Sequence, residues 1–169
     1  EMCIRDSGGV MRLESLINDI NEEMYKKIAE NRTMSEEEAR KTAQMVALSA
    51  MKYGDLSNQA AKDYVFDVER FISFEGNTGP YNLYTIVRIK SILAKYAESG
   101  KDAAKCKMKK PQTQSEKALM LEVAKFNNVI ETAFEELAPH KICAYIYDLS
   151  NAFNRFYHET KILSEENEE

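Results

Sequence analysis

Tyr81, Tyr84 and Arg88 are spaced by three and then four residues. On a helix that spacing puts all three side chains on one face. Two tyrosine rings can stack on unpaired bases, and a guanidinium can reach a phosphate or a base edge. Single-stranded loops of nucleic acid are read by that kind of chemistry. A turn-forming segment, residues 76–80, stands directly before them. A plainer alternative uses the same residues. Both tyrosines pack in a core, Arg88 makes a surface pair, and the loop only caps a helix. Taken from the residues alone, that alternative is the simpler one.

Other residue types suggest chemistry less strongly. Lys101, Lys105, Lys107, Lys109 and Lys110 form a basic stretch. It could track a phosphate backbone as a set of point charges, and it reads equally well as a solvated linker. Asp55, Asp63 and Asp67 bring three carboxylates close in sequence. They lack a second cluster and the spacing of a metal loop, so turn capping is the better reading. His140 follows Pro139 at a helix start, where positive charge is disfavoured, so it reads as a neutral structural residue. Tyr145, Tyr147 and Tyr157 read as helix-packing residues with hydroxyls that reach a partner or water. Cys3, Cys106 and Cys143 form no CxxC pair, which supports neither a disulfide framework nor a zinc site.

These candidates need a scaffold, and the periodicity supplies one. Leu13, Leu16, Ile17, Ile20, Met24 and Ile28 recur at helical spacing and predict a helix over 13–30. Residues 31–33 break it. Ser35 with Glu38 predicts a capping box, and a second helix runs from there to Tyr53 with Gly54 as its stop. Residues 45–51 are apolar on nearly all sides, which predicts burial between neighbours. Residues 55–63 read as a loop, and 64–66 as a short extended segment or turn. Residues 73–80 read as a compact loop, with Pro80 suited to the first turn of a third helix over 81–98 that ends at Gly100. Residues 101–111 form the basic linker. Further helices are expected over 115–126, 128–137 and 139–158, the last with Ile142, Tyr145, Ile146, Leu149, Phe153 and Phe156 inward. Five to six helices and almost no strand predict an all-α bundle.

Composition limits the function classes. A chain of 169 residues is long enough for one core or two small packed units. With 44% apolar and 30% charged residues, it is a folding chain and not a disordered one. Its longest apolar runs, 45–51 and 142–146, are too short to span a membrane, and no secretory leader is visible, so a cytoplasmic location is expected. A net charge of −5 argues against a general basic coat and leaves room for a local basic face. Residues 1–7 fit poorly with the sequence from Gly8 onward and read as foreign. The acidic run 165–169 reads as a solvated end.

Three strings then carry a resemblance. They are Lys52-Tyr53-Gly54-Asp55-Leu56-Ser57, Asp63-Tyr64-Val65-Phe66-Asp67, and Phe74-Glu75-Gly76-Asn77-Thr78-Gly79-Pro80-Tyr81 with Tyr84 and Arg88 after it. In order and spacing they resemble the arginyl-tRNA synthetase family. Pro139-His140, Tyr145-Ile146-Tyr147-Asp148-Leu149, Phe153 and Phe156-Tyr157 are similar to that family's DALR-type anticodon-binding domain. Residues 8–16 resemble the segment just after its second ATP-binding loop. Two local departures are Leu83, where the family has Gln, and Val68, where it has Trp. A larger one is that neither a His-Ile-Gly-His-like motif nor a Lys-Met-Ser-Lys-Ser-like loop occurs in the sequence.

The resemblance implies a helical bundle in which 8–92 is the end of a catalytic core and 93–169 a DALR-type anticodon-binding domain without its last helix. It implies an arginine–tRNA ligase fragment whose share of the work is anticodon recognition. ATP and L-arginine would be bound by parts of the parent enzyme outside this fragment, and the fragment alone would be inactive. The expected partner is arginine tRNA, the expected state a monomer, and no membrane is involved. Asn77, Thr78, Tyr81, Tyr84 and Arg88 are the expected tRNA contacts, which reverses the simpler packing reading. Two other readings use the same helices: a stand-alone RNA-binding module without catalysis, and a helical interaction domain with no RNA role.

Overall fold

Alanines on the second helix set the architecture. Ala39, Ala43, Ala47 and Ala50 recur every three or four residues and are all buried. Small side chains along one stripe let a neighbouring helix approach closely. The computed structural model describes residues 12–30, 34–65, 67–100 and 107–162. In it, α1 (Leu13–Ala29) lies along that stripe of α2 (Glu36–Leu56). Ile20 and Met24 of α1 are fully buried against Ala43, Val46, Ala47 and Ala50, with Ile72 closing the cluster. Each fully buried Ile or Met of this kind stabilises by about 1.5–3 kcal/mol relative to exposure.

A single-turn helix, α3 (Val68–Phe71), leads into the loop before α4 (Gly79–Glu98). Then come α5 (Gln114–Ala124), α6 (Phe126–Glu135) and α7 (Pro139–Glu159). Among the described residues the fold is all-α, with six helices of ten residues or more and the one short turn. α4 and α7 meet each other and both touch α2, while α5 and α6 pack on α7. α4 and α7 together therefore join the α1–α2 pair to the later helices. None of the described helices is long and apolar enough to cross a membrane.

Local chemistry explains most boundaries. The Ser35–Glu38 capping box forms as expected, with Ser35 Oγ accepting from the Glu38 amide. A second box, Thr113 with Glu116, starts α5 and was not expected. α4 ends with Gly100 at φ +80°, the left-handed geometry that glycine adopts without strain. α6 ends on Leu137 at φ 49°, where a non-glycine residue is strained, and its side chain is 81% exposed.

Two expectations need correction. Gly54 does not stop α2; the helix continues to Leu56 and Gly54 is buried inside it. A Cβ there would sit 2.8 Å from Cδ1 of Phe71, so glycine serves close packing against α3. Nor is the apolar centre of α2 buried all round. Met45 and Leu48 are exposed, because only the alanine-rich side faces α1 and α4. The last three helices start or end one to two residues from their expected limits. The expectations for residues 1–11, the break at 31–33, Phe66, Lys101 and Lys105, and the acidic end at 165–169 lie outside the described residues.

Candidate RNA-binding face

The face is built where α4 crosses α7, and the loop at 72–78 fixes how α4 begins. Thr78 is the N-cap of α4. Its Oγ1 accepts from the Tyr81 amide at 3.2 Å and donates to the Ser73 carbonyl at 2.6 Å. One hydroxyl thus satisfies an orphan helix N–H and ties the loop back on itself. Gly76 sits at φ +78°, the turn geometry that lets the chain reverse. Gly79 lies directly against the backbone of Ser49 in α2, and Pro80 after it is fully buried. The start of α4 is therefore seated on α2 through backbone contact.

From there the side chains diverge in role. Thr78 is only 3% exposed and is occupied by the cap, so it shapes the loop and offers nothing to solvent. Asn77, next to it, is exposed. Tyr81 is half-buried. Its hydroxyl donates to Asn151 Oδ1 at 2.7 Å, and its ring meets Tyr147 edge-on at 5.7 Å between centroids. Tyr84, one turn on, is 51% exposed. Arg88 lies one turn further, half-buried, and packs between two rings. Its Cζ is 4.8 Å from the Tyr84 centroid and 4.6 Å from the Tyr157 centroid. A guanidinium held between aromatic faces gains cation–π attraction on both sides.

Asn154 of α7 fixes the direction of that guanidinium. Arg88 Nη1 donates to Asn154 Oδ1 at 2.5 Å. Arg88 Nη2 donates to the Tyr84 hydroxyl at 3.1 Å. Asn154 Nδ2 then donates to Tyr81 Oη at 2.9 Å and to Thr85 Oγ1 at 3.0 Å. The amide orientation is forced, since Arg88 can only donate and the two hydroxyls can accept. Arg88, Asn154, Tyr81, Thr85 and Asn151 form one connected network across the helix crossing.

Beside it runs a groove of about 550 Å³. Tyr84, Arg88, Lys95, Tyr157, His158 and Lys161 are among its lining residues, and none of the described lining residues is acidic. The net charge of −5 leaves room for a local basic face, and this groove gathers cationic residues. Arg88 and Lys95 come from α4, while Lys161 comes from just past α7. Asp55 and Asp67 lie elsewhere: Asp55 accepts from Tyr64 Oη at 2.7 Å, and Asp67 caps α3 by accepting from the Arg70 amide. Among the described residues no group of His, Cys, Asp and Glu could hold a metal ion.

The spacing puts Tyr81, Tyr84 and Arg88 on one helix face, and all three lie on α4 with Tyr84 and Arg88 in contact; Asn77 and Thr78, expected from the resemblance, lie in the loop before it. Tyr157, expected to pack, packs on Arg88 and Phe153, and Asn154, not singled out from the sequence, joins the polar network. The signal was present in the spacing, since Asn154 and Tyr157 are three apart and share a face of α7. Nothing local says that this face meets α4.

Comparison with known proteins adds a family. Residues 82–169 match the DALR anticodon binding domain, and residues 2–68 match the class I (R) tRNA synthetase catalytic domain. Among curated proteins the chain is similar to an arginine–tRNA ligase of Agathobacter rectalis, 63% identical over 170 residues. It is also similar to that of Alkaliphilus oremlandii, 53% identical over 158 residues. These alignments cover 96% and 94% of the chain but 28% and 27% of the two relatives, so the chain spans little more than a quarter of their length. Among solved structures it resembles Thermus thermophilus arginyl-tRNA synthetase, with a TM-score of 0.76 and 26% identity over 98% of this chain and 26% of that one. Plasmodium falciparum arginyl-tRNA synthetase gives 0.74 and 25% over 94% and 29%.

Proposed function

Because the chain belongs to the DALR anticodon-binding domain family, we propose that it is the part of an arginine–tRNA ligase that grips the tRNA anticodon loop. The observation that carries this is the α4–α7 crossing. There Tyr84 stands exposed beside an Arg88 held between two rings, over a groove with no acidic residue among its described lining. Exposed aromatic rings accept stacked bases, and a pre-aligned guanidinium meets phosphate or a base edge without first being ordered.

Asn77, Tyr84 and Arg88 are the side chains that would touch RNA. Tyr81 and Thr78 support them, because their polar atoms are already committed inside the fold. Tyr157 would present the far side of the Arg88 sandwich. The partner is arginine tRNA, and the parent enzyme would work as a cytoplasmic monomer that consumes ATP and L-arginine. The two ATP-binding motifs of this class do not occur in the sequence, so no step of that chemistry is assigned to these residues. A division at Ile92 would fall within α4 and put the catalytic end and the anticodon-gripping part on one helix.

The test is direct. In a full-length arginine–tRNA ligase carrying this segment, Tyr84→Ala with Arg88→Ala removes a stacking platform and a charged contact. A base–aromatic stack is worth about 1–3 kcal/mol. Affinity for arginine tRNA should therefore fall at least about tenfold, with circular dichroism unchanged. Unaltered affinity in a folded variant rules the assignment out.

A further inference from the structure

Tyr53, on α2, reaches two other parts of the fold with one hydroxyl. Its Oη lies 2.5 Å from Asn77 Oδ1 in the loop and 2.8 Å from the main-chain carbonyl of Cys143 in α7. Asn82 of α4 is beside it: Asn82 is buried, with no hydrogen-bond partner for either amide atom. We propose that Tyr53 is a specificity-determining positioning residue, which turns the Asn77 amide so that its N–H end faces RNA. This rests on the reading of the face as a tRNA contact and says which ligand atoms Asn77 would select.

A phenol has one proton to donate and here has two acceptors in reach. The Cys143 carbonyl lies within α7, where the helix itself supplies an i+4 amide donor, so it does not depend on Tyr53. Asn77 Oδ1 is the nearer acceptor and has no such donor. Given the proton, Oδ1 is held inward and Nδ2 is left at the exposed side of the loop. Asn82 reinforces the same polarity. Its Nδ2 is a donor in need of an acceptor, and the phenol oxygen is the adjacent candidate, so a small shift would complete a relay from Asn82 through Tyr53 to Asn77. Burial also keeps the phenol protonated, raising it to about 12, with Asn82 opposing that rise.

The consequence is chemical selectivity. Asn77 then presents its two N–H donors outward, while Oδ1 is turned inward to Tyr53. It would bind a base carbonyl, a ring nitrogen or a phosphate oxygen, and would reject an exocyclic amino group at that position. Were the Tyr53 proton given to Cys143 instead, Asn77 would turn over and the preference would reverse.

The experiment is a set of variants in a full-length arginine–tRNA ligase carrying this segment, with equilibrium binding of its tRNA as the readout. Asn77→Asp keeps the acceptors and loses the donors, so it should weaken binding at least as much as Asn77→Ala. Each loss should be about 2- to 12-fold, the equivalent of one neutral hydrogen bond. Tyr53→Phe should weaken binding by a similar factor. The Tyr53→Phe, Asn77→Ala double variant should bind no worse than Asn77→Ala alone, because Tyr53 acts only through Asn77. A purely structural role for Tyr53 would instead cost the same factor in both backgrounds, and that additivity overturns the proposal. So does wild-type binding by Asn77→Asp. The Tyr84→Ala, Arg88→Ala variant separates the two failures. If it binds normally, the face is wrong; if it alone is weak, only the role of Tyr53 falls.

Discussion

At the scale of residues, the site depends on polar groups whose geometry leaves them one choice. Arg88 can only donate, so Asn154 must show it an oxygen. That choice sends the Asn154 N–H groups to Tyr81 and Thr85. Tyr53 is the same kind of node, with an energetic signature of its own. Burial raises its phenol from the ordinary 10 to about 12. The folded state thus holds this proton more tightly than the unfolded state. The associated stability is fully present below about pH 10 and is lost as pH rises towards 12. Urea unfolding measured across that interval should show stability falling with pH, and the fall should be shallower in Tyr53→Phe. Some slope should remain, because Tyr64 is raised to about 12 as well, chiefly by burial and then by its bond to Asp55.

Among elements, α4 carries the most consequence, because it is seated by backbone contact at one end and by a polar network along its length. Gly79 is the tightest point. A Cβ at that position would overlap the main-chain oxygen of Ser49, which is α2 backbone and cannot rotate away. Gly79→Ala should therefore push the start of α4 off α2. Overpacking of this kind costs about 1–3 kcal/mol. The expected result is a lower thermal midpoint together with weaker tRNA binding, since Asn77 and Tyr84 flank the displaced turn. Gly76→Ala is the informative contrast: its Cβ would meet nothing within 4 Å, so any cost there comes from φ +78° and not from crowding.

For the molecule as a whole, the charge distribution is the feature that matters. The chain is acidic, at −5, yet its groove gathers Arg88, Lys95 and Lys161. A basic groove on an acidic body would draw a polyanion to that groove. If Lys95 and Lys161 neutralise phosphates, each should contribute about 0.7 to the slope of log affinity against log salt. Replacing both by Ala should reduce that slope by roughly 1.4 in a tRNA-binding titration. An unchanged slope would mean that the groove is not on the path of the RNA backbone. The apolar residues left on the outside of α6, Phe126, Ile130 and Phe134, show that not every amphipathic face is matched within the described residues.

The sequence by itself determined the six longer helices, the Ser35 capping box and the class of fold. Those depend on local terms: 3.6-residue periodicity, side-chain bonds to orphan N–H groups, and the limits on proline and glycine. It also determined that Tyr81, Tyr84 and Arg88 share a face, because spacing along one helix is enough. Tertiary structure decided the rest. That Gly54 is a packing glycine inside α2 is due to Phe71, seventeen residues away. That Thr78 is buried and Asn77 exposed depends on how α4 sits on α2. That Tyr157 and Asn154 belong to the face depends on α4 crossing α7. A crossing joins residues nearly seventy positions apart, and no periodic pattern within either helix records it.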